Sequence, residues 1–594
     1  MILQRLAEHY DRLASNRGTA GEIAPPGFSW QKISFCVVLQ PDGRFQSLQA
    51  LLEPEGNRLL PRQMLVPGEA KSSGSGLNPG LLWDNSMYML GFKADDSKPD
   101  RTRASFEAFR KRHLETEKRV SHPWFTAVCS YLRSWSPQQA LQYAEQLKEC
   151  TQNFGVFRIV GERQFVHEAV GLITVENDAL PQLGTCLVTG QHGIPIARLH
   201  EPKIKGVRGS QSAGALLVSF NDEAYESYGK SQSYNAPVGA KTTFKYANAL
   251  NRLLDPRNGR RILIGDSTVV FWAEKATTLE DVVSDLFGNE PISNCNEVPE
   301  ARERLRQTRQ FLTQLRDATE ATKAIDEENA IRFFILGLSP NNARLSVRLW
   351  IDTSVAELKE RLGQHLRDLA LHAGREEFPP SLREIVAATG RADMQQRRFK
   401  GFDTENVPPM LAGALARAVL AGGPYPLSLL ARLIGRIRAD GAVHPHRCAA
   451  IKGCLVRNSR LRGNPKEVSV ALDVNQTEPA YNVGRLFALL EKIQTDSVEG
   501  ELNATIKDRY FSSASSTPAV VFPRLLRLNQ HHLAKLSMGT KIFYEKLMGE
   551  VISKLESFPR HLSLEDQGQF AIGYFHQRQD LFTSRKSALQ GDPQ

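Results

Sequence analysis

The sequence predicts an α+β protein: a mixed α/β N-terminal region followed by an all-helical C-terminal region ending in a helical bundle. Three observations carry this. Up to about residue 355, short β-rich runs alternate with helical patterns and are separated by turn dipeptides. Beyond Val355 every sustained apolar pattern has helical spacing. Phe378-Pro379-Pro380 then marks a boundary that neither a helix nor a strand crosses easily. At 594 residues the chain is too long for one core, and two to four domains are expected. The patterns divide it into a mixed domain over 1–375, a basic helical segment over 376–465 and a C-terminal helical bundle over 466–594.

In order, Ile2, Leu3, Leu6, Tyr10 and Leu13 fall on one helical face, and Gly18–Pro26 ends that helix. Ile33–Leu39 and Phe45–Leu52 read as strands around Pro41-Asp42-Gly43, a hairpin turn. Gly68–Gly80 is a loop rich in glycine and serine. Thr102–Arg119 and Pro137–Cys150 read as helices; Phe157–Val160, Phe165–Val175 and Cys186–Thr189 read as strands. Thr242–Leu254 is an amphipathic helix. Ile262–Ile264 and Thr268–Trp272 pair around Gly265-Asp266, Val298–Ile325 is a charged helix, and Ala330–Leu338 and Leu345–Asp352 are strands around Ser339-Pro340-Asn341-Asn342.

Composition narrows the function. The net charge is +10 and the pI about 9.2, which fits a polyanionic partner such as nucleic acid. Seven scattered cysteines with no C-x-x-C pair argue against a disulfide framework and for a reducing compartment. The opening helix carries Arg5, Glu8, Asp11 and Arg12 and so is no secretory signal. Leu411–Gly435, the longest apolar stretch, is broken by Arg417, Gly422-Gly423-Pro424, Pro426 and Arg432 and fails as a membrane span. A cytoplasmic protein with no membrane partner is expected.

Two segments draw attention. The first, Ile204–Asn251, sets Ser210, Gln211, Asn221, Ser231, Gln232 and Asn235 among glycines, with Lys203, Lys205, Arg208 and Lys230 supplying charge. Amides with cations on a glycine-framed loop are suited to reading base edges and holding phosphates; the plainer alternative is a glycine-rich connection between sheet and helix. Ser72–Asn78, including Asn78, is a second loop of this kind. The other segment is Arg432–Lys466. Its nine cations (Arg432, Arg436, Arg438, Arg447, Lys452, Arg457, Arg460, Arg462 and Lys466) face one acid, Asp440. A solvated helical face usually mixes signs, so this run reads as a phosphate-backbone surface.

Enzyme motifs nearly form and then fail. Gly229-Lys230-Ser231 resembles the end of a phosphate-binding loop, but Ala224 stands where its first glycine belongs. Ser212 lies one glycine short of a nucleophile elbow. His444, His446, Cys448 and Cys454 lack a standard zinc spacing, and His531-His532 reads as a polar helix patch. Asp84, Asp266 and Glu274 would be the metal carboxylates of a nuclease, the competing functional class, but no common spacing links them. No catalytic residue, metal or cofactor is expected.

Longer motifs resemble a known family. They include Met1-Ile2-Leu3-Gln4 with Tyr10, Ile23-Ala24-Pro25-Pro26-Gly27, Leu82-Trp83-Asp84-Asn85 with Tyr88 and Gly91, and Ala197-Arg198-Leu199-His200. VSFNDEAYESYGKSQSYNAPV (218–238), Gly265–Trp272, FFILGLSPNNARLSVRLW (333–350), Tyr481–Leu486 and DRYFSSASSTPAVVFPRLL (508–526) follow in order. Together they resemble the large subunit of the type I-C CRISPR effector complex (Cascade). The resemblance implies a non-catalytic subunit that recognises the protospacer-adjacent motif in target double-stranded DNA, promotes duplex opening and supports the displaced strand of the R-loop. The implied partners are the crRNA, the repeated backbone subunit, the crRNA 5′-end-capping subunit, small subunits and a recruited helicase-nuclease. It also implies that the C-terminal bundle is like the small subunit, which in such systems is thought to arise by internal translation. Within this expectation Lys203, Lys205, Arg208, Ser210, Gln211, Asn221, Lys230, Ser231, Gln232, Asn235 and Asn78 would read the motif. Arg432, Arg436, Arg438, Lys452, Arg457, Arg460 and Arg462 would hold the DNA backbone.

Overall fold

The structure, a computed structural model, describes residues 1–16, 23–55, 58–68, 71, 76–150, 154–170, 181–287, 313–314, 316–317, 327–372, 379–395, 398–405, 407–498 and 504–589. The predicted Val298–Ile325 helix therefore lies almost wholly outside the described residues, as do positions 72–75 of the second loop and Phe378. The chain forms two compact units: Met1–Asp255 with Pro340–Ser346, and Pro256–Ser339 with Val347–Gln594.

The first unit is built on strand β1 (Phe28–Leu39), whose Ile33–Leu39 stretch is buried on both faces. β2 (Phe45–Ala50) returns antiparallel to it through the Pro41-Asp42-Gly43 turn, as predicted. Gly43 has φ 89°, and a Cβ there would lie 2.4 Å from the Ala127 carbonyl. β3 (Leu52–Glu55) and β4 (Arg58–Pro67) extend that edge. On the other edge β6 (Phe154–Ile159) runs parallel to β1, and β5 (Trp83–Asp84) pairs with β6. The period of two sorts the side chains. Phe35, Val37 and Leu39 share one core with the Pro99–Glu117 and Pro123–Ser134 helices, whereas Cys36 and Val38 share another with Met64, Val66 and Trp83. Gly155 is required by this packing, because a Cβ there would sit 2.1 Å from the Phe35 ring.

The opening helix, Ile2–Ser15, packs against the Ala240–Leu254 helix. Tyr10 fixes it, stacking edge-on to Phe244 and donating to the Ala24 carbonyl at 2.7 Å. Two strand expectations fail here. Val166–Val170 is helical, capped by Glu168 accepting from the Phe165 N–H, and Cys186–Thr189 is a turn beside the short pair β7 (Leu183–Gly184) and β8 (Ile194–Pro195). In both, local capping and turn bonds win over β-propensity in a short apolar run.

The second unit holds a four-stranded sheet ordered β12-β11-β10-β9, with β9 Arg261–Ile264, β10 Ser267–Ala273, β11 Arg332–Asn341 and β12 Arg344–Ser354. Phe271, Phe333 and Ile335 belong to the same continuous core as the helices that follow, through Leu581. A boundary near residue 375 thus falls inside one unit, because the sheet covers its apolar face with helices from beyond that point. Past Val355 one further departure appears: β13 (Arg391–Gln395) and β14 (Arg398–Asp403) form an antiparallel hairpin where only helix was expected. The remaining described elements there are helices. The Pro479–Asp496 and Leu564–Leu589 helices cross at two glycines: a Cβ on Gly484 would lie 2.1 Å from the Phe570 carbonyl, and one on Gly573 2.1 Å from that of Tyr481. No helix among the described residues is long and apolar enough to cross a membrane.

Candidate nucleic-acid interface

The central loop of the first unit is a stitched structure. Ile204 and Ala215 exchange backbone hydrogen bonds at 2.8 and 2.9 Å, closing a lobe that contains Lys205, Arg208, Ser210 and Gln211. Gly214, at φ 88°, closes it; a Cβ there would meet the Ile204 carbonyl at 2.9 Å. Asn251 of the following helix anchors the base, accepting from the Lys205 N–H at 2.8 Å and donating to the Lys203 carbonyl at 3.1 Å. Ser210 spends its hydroxyl on the Val207 carbonyl. Lys205, Arg208 and Gln211 are exposed. Packing around the Lys205 ammonium, with Lys32 and Lys203 adding like charge, holds its pKa below the usual lysine value.

Residues 221–231 are exposed without a break. Within them Asn221 accepts from Arg344 at 2.6 Å, and Lys230 and Ser231 face solvent. Asn235 has a different role from the one its amide predicts. Its Oδ1 accepts from the Ser227 N–H at 2.9 Å and its Nδ2 donates to the Lys230 and Gln232 carbonyls at 2.7 and 2.9 Å. With both ends of the amide engaged, it staples the loop and has no face left for a base. Gln232 sits at φ 48°, its N–H held by Glu226 at 2.9 Å, while its side-chain oxygen has no hydrogen-bond partner.

The second loop is anchored by Asp84. Its buried carboxylate accepts from Lys71 at 2.5 Å and from the Gly80 and Asn85 N–H groups at 2.6 and 2.8 Å. Burial pushes the Lys71 pKa down and that of Asp84 up, and the ion pair opposes both. Lys71 also reaches the Asn78 carbonyl, and Tyr88 accepts from the Asn78 N–H. The Asn78 backbone is thereby pinned and the residue is exposed. Asp84 is thus an anchor, Asp266 an exposed turn residue and Glu274 an exposed residue at a strand end. Among the described residues no group of three His, Cys, Asp or Glu side chains could hold a metal.

The basic run of the second unit is where sequence and structure part most sharply. Lys452 and Arg457 are 3% and 2% exposed, and neither reaches solvent phosphate. Lys452 donates to the Arg367 and Asp368 carbonyls at the end of the Val355–Leu369 helix. Arg457 bonds the Ala418 and Gly423 carbonyls that end Pro409–Ala421, lies 3.4 Å from Asp368 and stacks on Tyr425. Arg447, fully buried, bonds the Ala388 and Gly390 carbonyls beyond Leu382–Ala387 and forks onto Asp440 at 2.6 and 2.8 Å. Arg432 reaches the Thr389 carbonyl. Three helix C-termini, each with orphan carbonyls and negative dipole, are thus closed by cations from one region.

The rest are engaged by acids or polar side chains, most of them distant in the chain. Arg460 forks onto Asp368 at 2.7 and 2.8 Å, Arg462 meets Glu565 at 2.6 Å, and Lys466 the same carboxylate at 3.4 Å. Arg436 lies 3.9 Å from Asp440, and Arg438 bonds Ser512 and Gln567. The assignment of this run to DNA is corrected accordingly for Lys452 and Arg457. Arg438 and Arg462 remain exposed.

A further basic run, this one free of acids, lies outside the segments singled out in the sequence. From Arg509 to Tyr544 there are five Lys or Arg and no Asp or Glu. Arg509, Arg524, Arg527, His531 and Lys535 are exposed, and 524, 527 and 531 share one face of the Pro518–Leu533 helix. The signal that finds them is cations at helical spacing with polar or small neighbours, instead of cations among cysteines and branched apolar residues. No curated protein matches the chain. Residues 6–582 match the family described as CRISPR-associated protein (Cas_Csd1), so the chain belongs to that family and is a subunit of the crRNA-guided, Cascade type.

Proposed function

We propose that the chain is the large subunit of a type I-C complex, recognising the protospacer-adjacent motif in double-stranded DNA, promoting duplex opening and supporting the displaced strand. It does so without cleaving DNA, leaving that to a recruited helicase-nuclease. The observation that carries the proposal is the exposed, internally stapled loop over 203–235, which offers Lys205, Arg208, Gln211, Lys230 and Ser231 at its surface, with Gln232 half-buried beside them. A loop ordered by its own hydrogen bonds loses little entropy on binding and holds a few donors in register, which suits a short motif. Backbone contact is assigned to the outer face of Pro518–Leu533, where the exposed cations of the second unit lie in an acid-free run.

The test is competition binding by the assembled, guide-loaded complex. Paired duplexes match the guide and differ only in the flanking bases. Gln232→Ala and Lys230→Ala are expected to reduce motif preference, by about 1–3 kcal/mol where a bidentate base contact is lost. Preference retained in both variants moves the site to the Asn78 loop. Absence of preference in the wild type overturns the motif-reading role. Divalent-metal-dependent cleavage by the isolated chain, abolished by Asp266→Ala, would restore the nuclease alternative.

A further inference from the structure

Tyr228 is 97% exposed, the most open of the large hydrophobic side chains among the described residues. It sits at the tip of the central loop in a two-residue turn. The Lys230 N–H donates to the Ser227 carbonyl at 3.0 Å, and Tyr228 and Gly229 have φ 54° and 67°. Positive φ at both central positions is the type I′ geometry, which favours Asn, Asp or Gly at the first. A tyrosine there strains the backbone and leaves a whole aromatic ring in water. Neither helps this unit fold.

The turn is nonetheless firmly held. Asn235 grips both sides of it through Ser227 and Lys230, and Glu226 holds the Gln232 N–H. At its base Tyr225, 48% exposed, carries the Arg344 guanidinium 4.2 Å from its ring centre. The tip itself has Asp222, Glu223 and Glu226 against Lys230, so it is a poor phosphate surface. What it presents is a ring on a stiff stalk.

We propose that Tyr228 stacks on a nucleobase of the target DNA laid bare where the duplex opens beside the motif. This rests on the reading above that the central loop faces the DNA. An aromatic face accepts any base, so Tyr228 contributes affinity and opening, with sequence preference left to its neighbours.

The experiment uses the assembled, guide-loaded complex with motif-bearing duplexes carrying 2-aminopurine in the base pair that adjoins the motif. Tyr228→Ala and Tyr228→Phe are compared with wild type for affinity, salt dependence and 2-aminopurine emission. The expected result for Tyr228→Ala is affinity about five- to a hundredfold weaker, the range of one base–aromatic stack. The salt slope stays unchanged because no charge is lost, and emission rises as the probe loses its stacking partner. Tyr228→Phe restores affinity and emission. Wild-type affinity and emission in Tyr228→Ala, with motif preference intact, overturn the proposal and leave the loop assignment standing. Failure of Tyr228→Ala to assemble, seen by size-exclusion chromatography, makes Tyr228 a subunit contact and also overturns it. Loss of motif preference from the wild type itself defeats the loop assignment, and this proposal with it.

Discussion

Two stretches of this chain look alike by charge. Arg432–Lys466 has nine cations to one acid, and Arg509–Tyr544 has five cations to none. In the fold they behave oppositely. The first is drawn into the core, where Arg447, Lys452 and Arg457 close helix ends, and Arg457, Arg460 and Arg462 meet acids 89, 92 and 103 positions away in the chain. The second stays largely at the surface, with Arg524 and Arg527 on one face of the Pro518–Leu533 helix. Charge counted along the chain does not separate a scaffold from a binding surface; the residues between the charges do. Around Arg447 stand Cys448, Ala449, Ala450, Ile451, Cys454 and Leu455, all buried, whereas Arg524 and Arg527 alternate with a face that is apolar on one side only.

The largest effect that could break this contrast is on stability. Arg447→Met leaves the Asp440 carboxylate and the Ala388, Gly390 and Ala442 carbonyls without their donor, and removing one partner of a buried pair costs about 3–5 kcal/mol. Urea denaturation should show that loss. A variant of wild-type stability with weakened DNA binding would return the first stretch to the interface.

Next comes the triple change Arg524→Gln, Arg527→Gln, Lys535→Gln. Exposed changes of this kind leave stability within about 0.5 kcal/mol. In the assembled complex the log–log salt dependence of DNA binding should flatten by about 2 units, from roughly 0.7 per single-strand phosphate contact. An unaltered slope would mean that this face meets another subunit or solvent. Arg462→Gln sharpens the boundary between the two stretches. Its exposed pair with Glu565 is worth about 0–1 kcal/mol, and it should change neither the melting midpoint by more than a few degrees nor the salt slope.

How much of this was legible in the sequence follows the same physics. The β1–β2 hairpin, the β9–β10 pair and the Ala240–Leu254 helix were readable because local turn chemistry and periodicity fix them. The β13–β14 hairpin was not, since its few polar and aromatic residues carry no clear alternation. The central loop was legible as a glycine-framed polar segment. The division of labour within it was not: Asn235 and Gln232 are alike as amides, and only tertiary placement makes one a staple and leaves the other with a buried, unbonded side-chain oxygen. Tyr228 looked like an ordinary loop residue until its exposure and positive φ were known.

The last prediction concerns pH and tests whether the buried stretch is held by charge. Burial lowers the Lys452 pKa to about 8, against some offset from Asp368. In the unfolded chain the group titrates near the ordinary lysine value of about 10.4. Between those values the unfolded state binds more protons than the folded one, so stability gains from this group as pH rises through that window. Below about pH 8 both states hold the proton and the burial penalty is complete. Lys452→Met removes the titration along with the bonds to the Arg367 and Asp368 carbonyls. The difference in unfolding free energy between wild type and Lys452→Met should therefore shift in favour of wild type from pH 8 to pH 10 and stay flat from pH 6 to pH 7.5. A difference that stays constant across the whole range would mean that Lys452 keeps an ordinary pKa, and so that water reaches its ammonium in the folded protein.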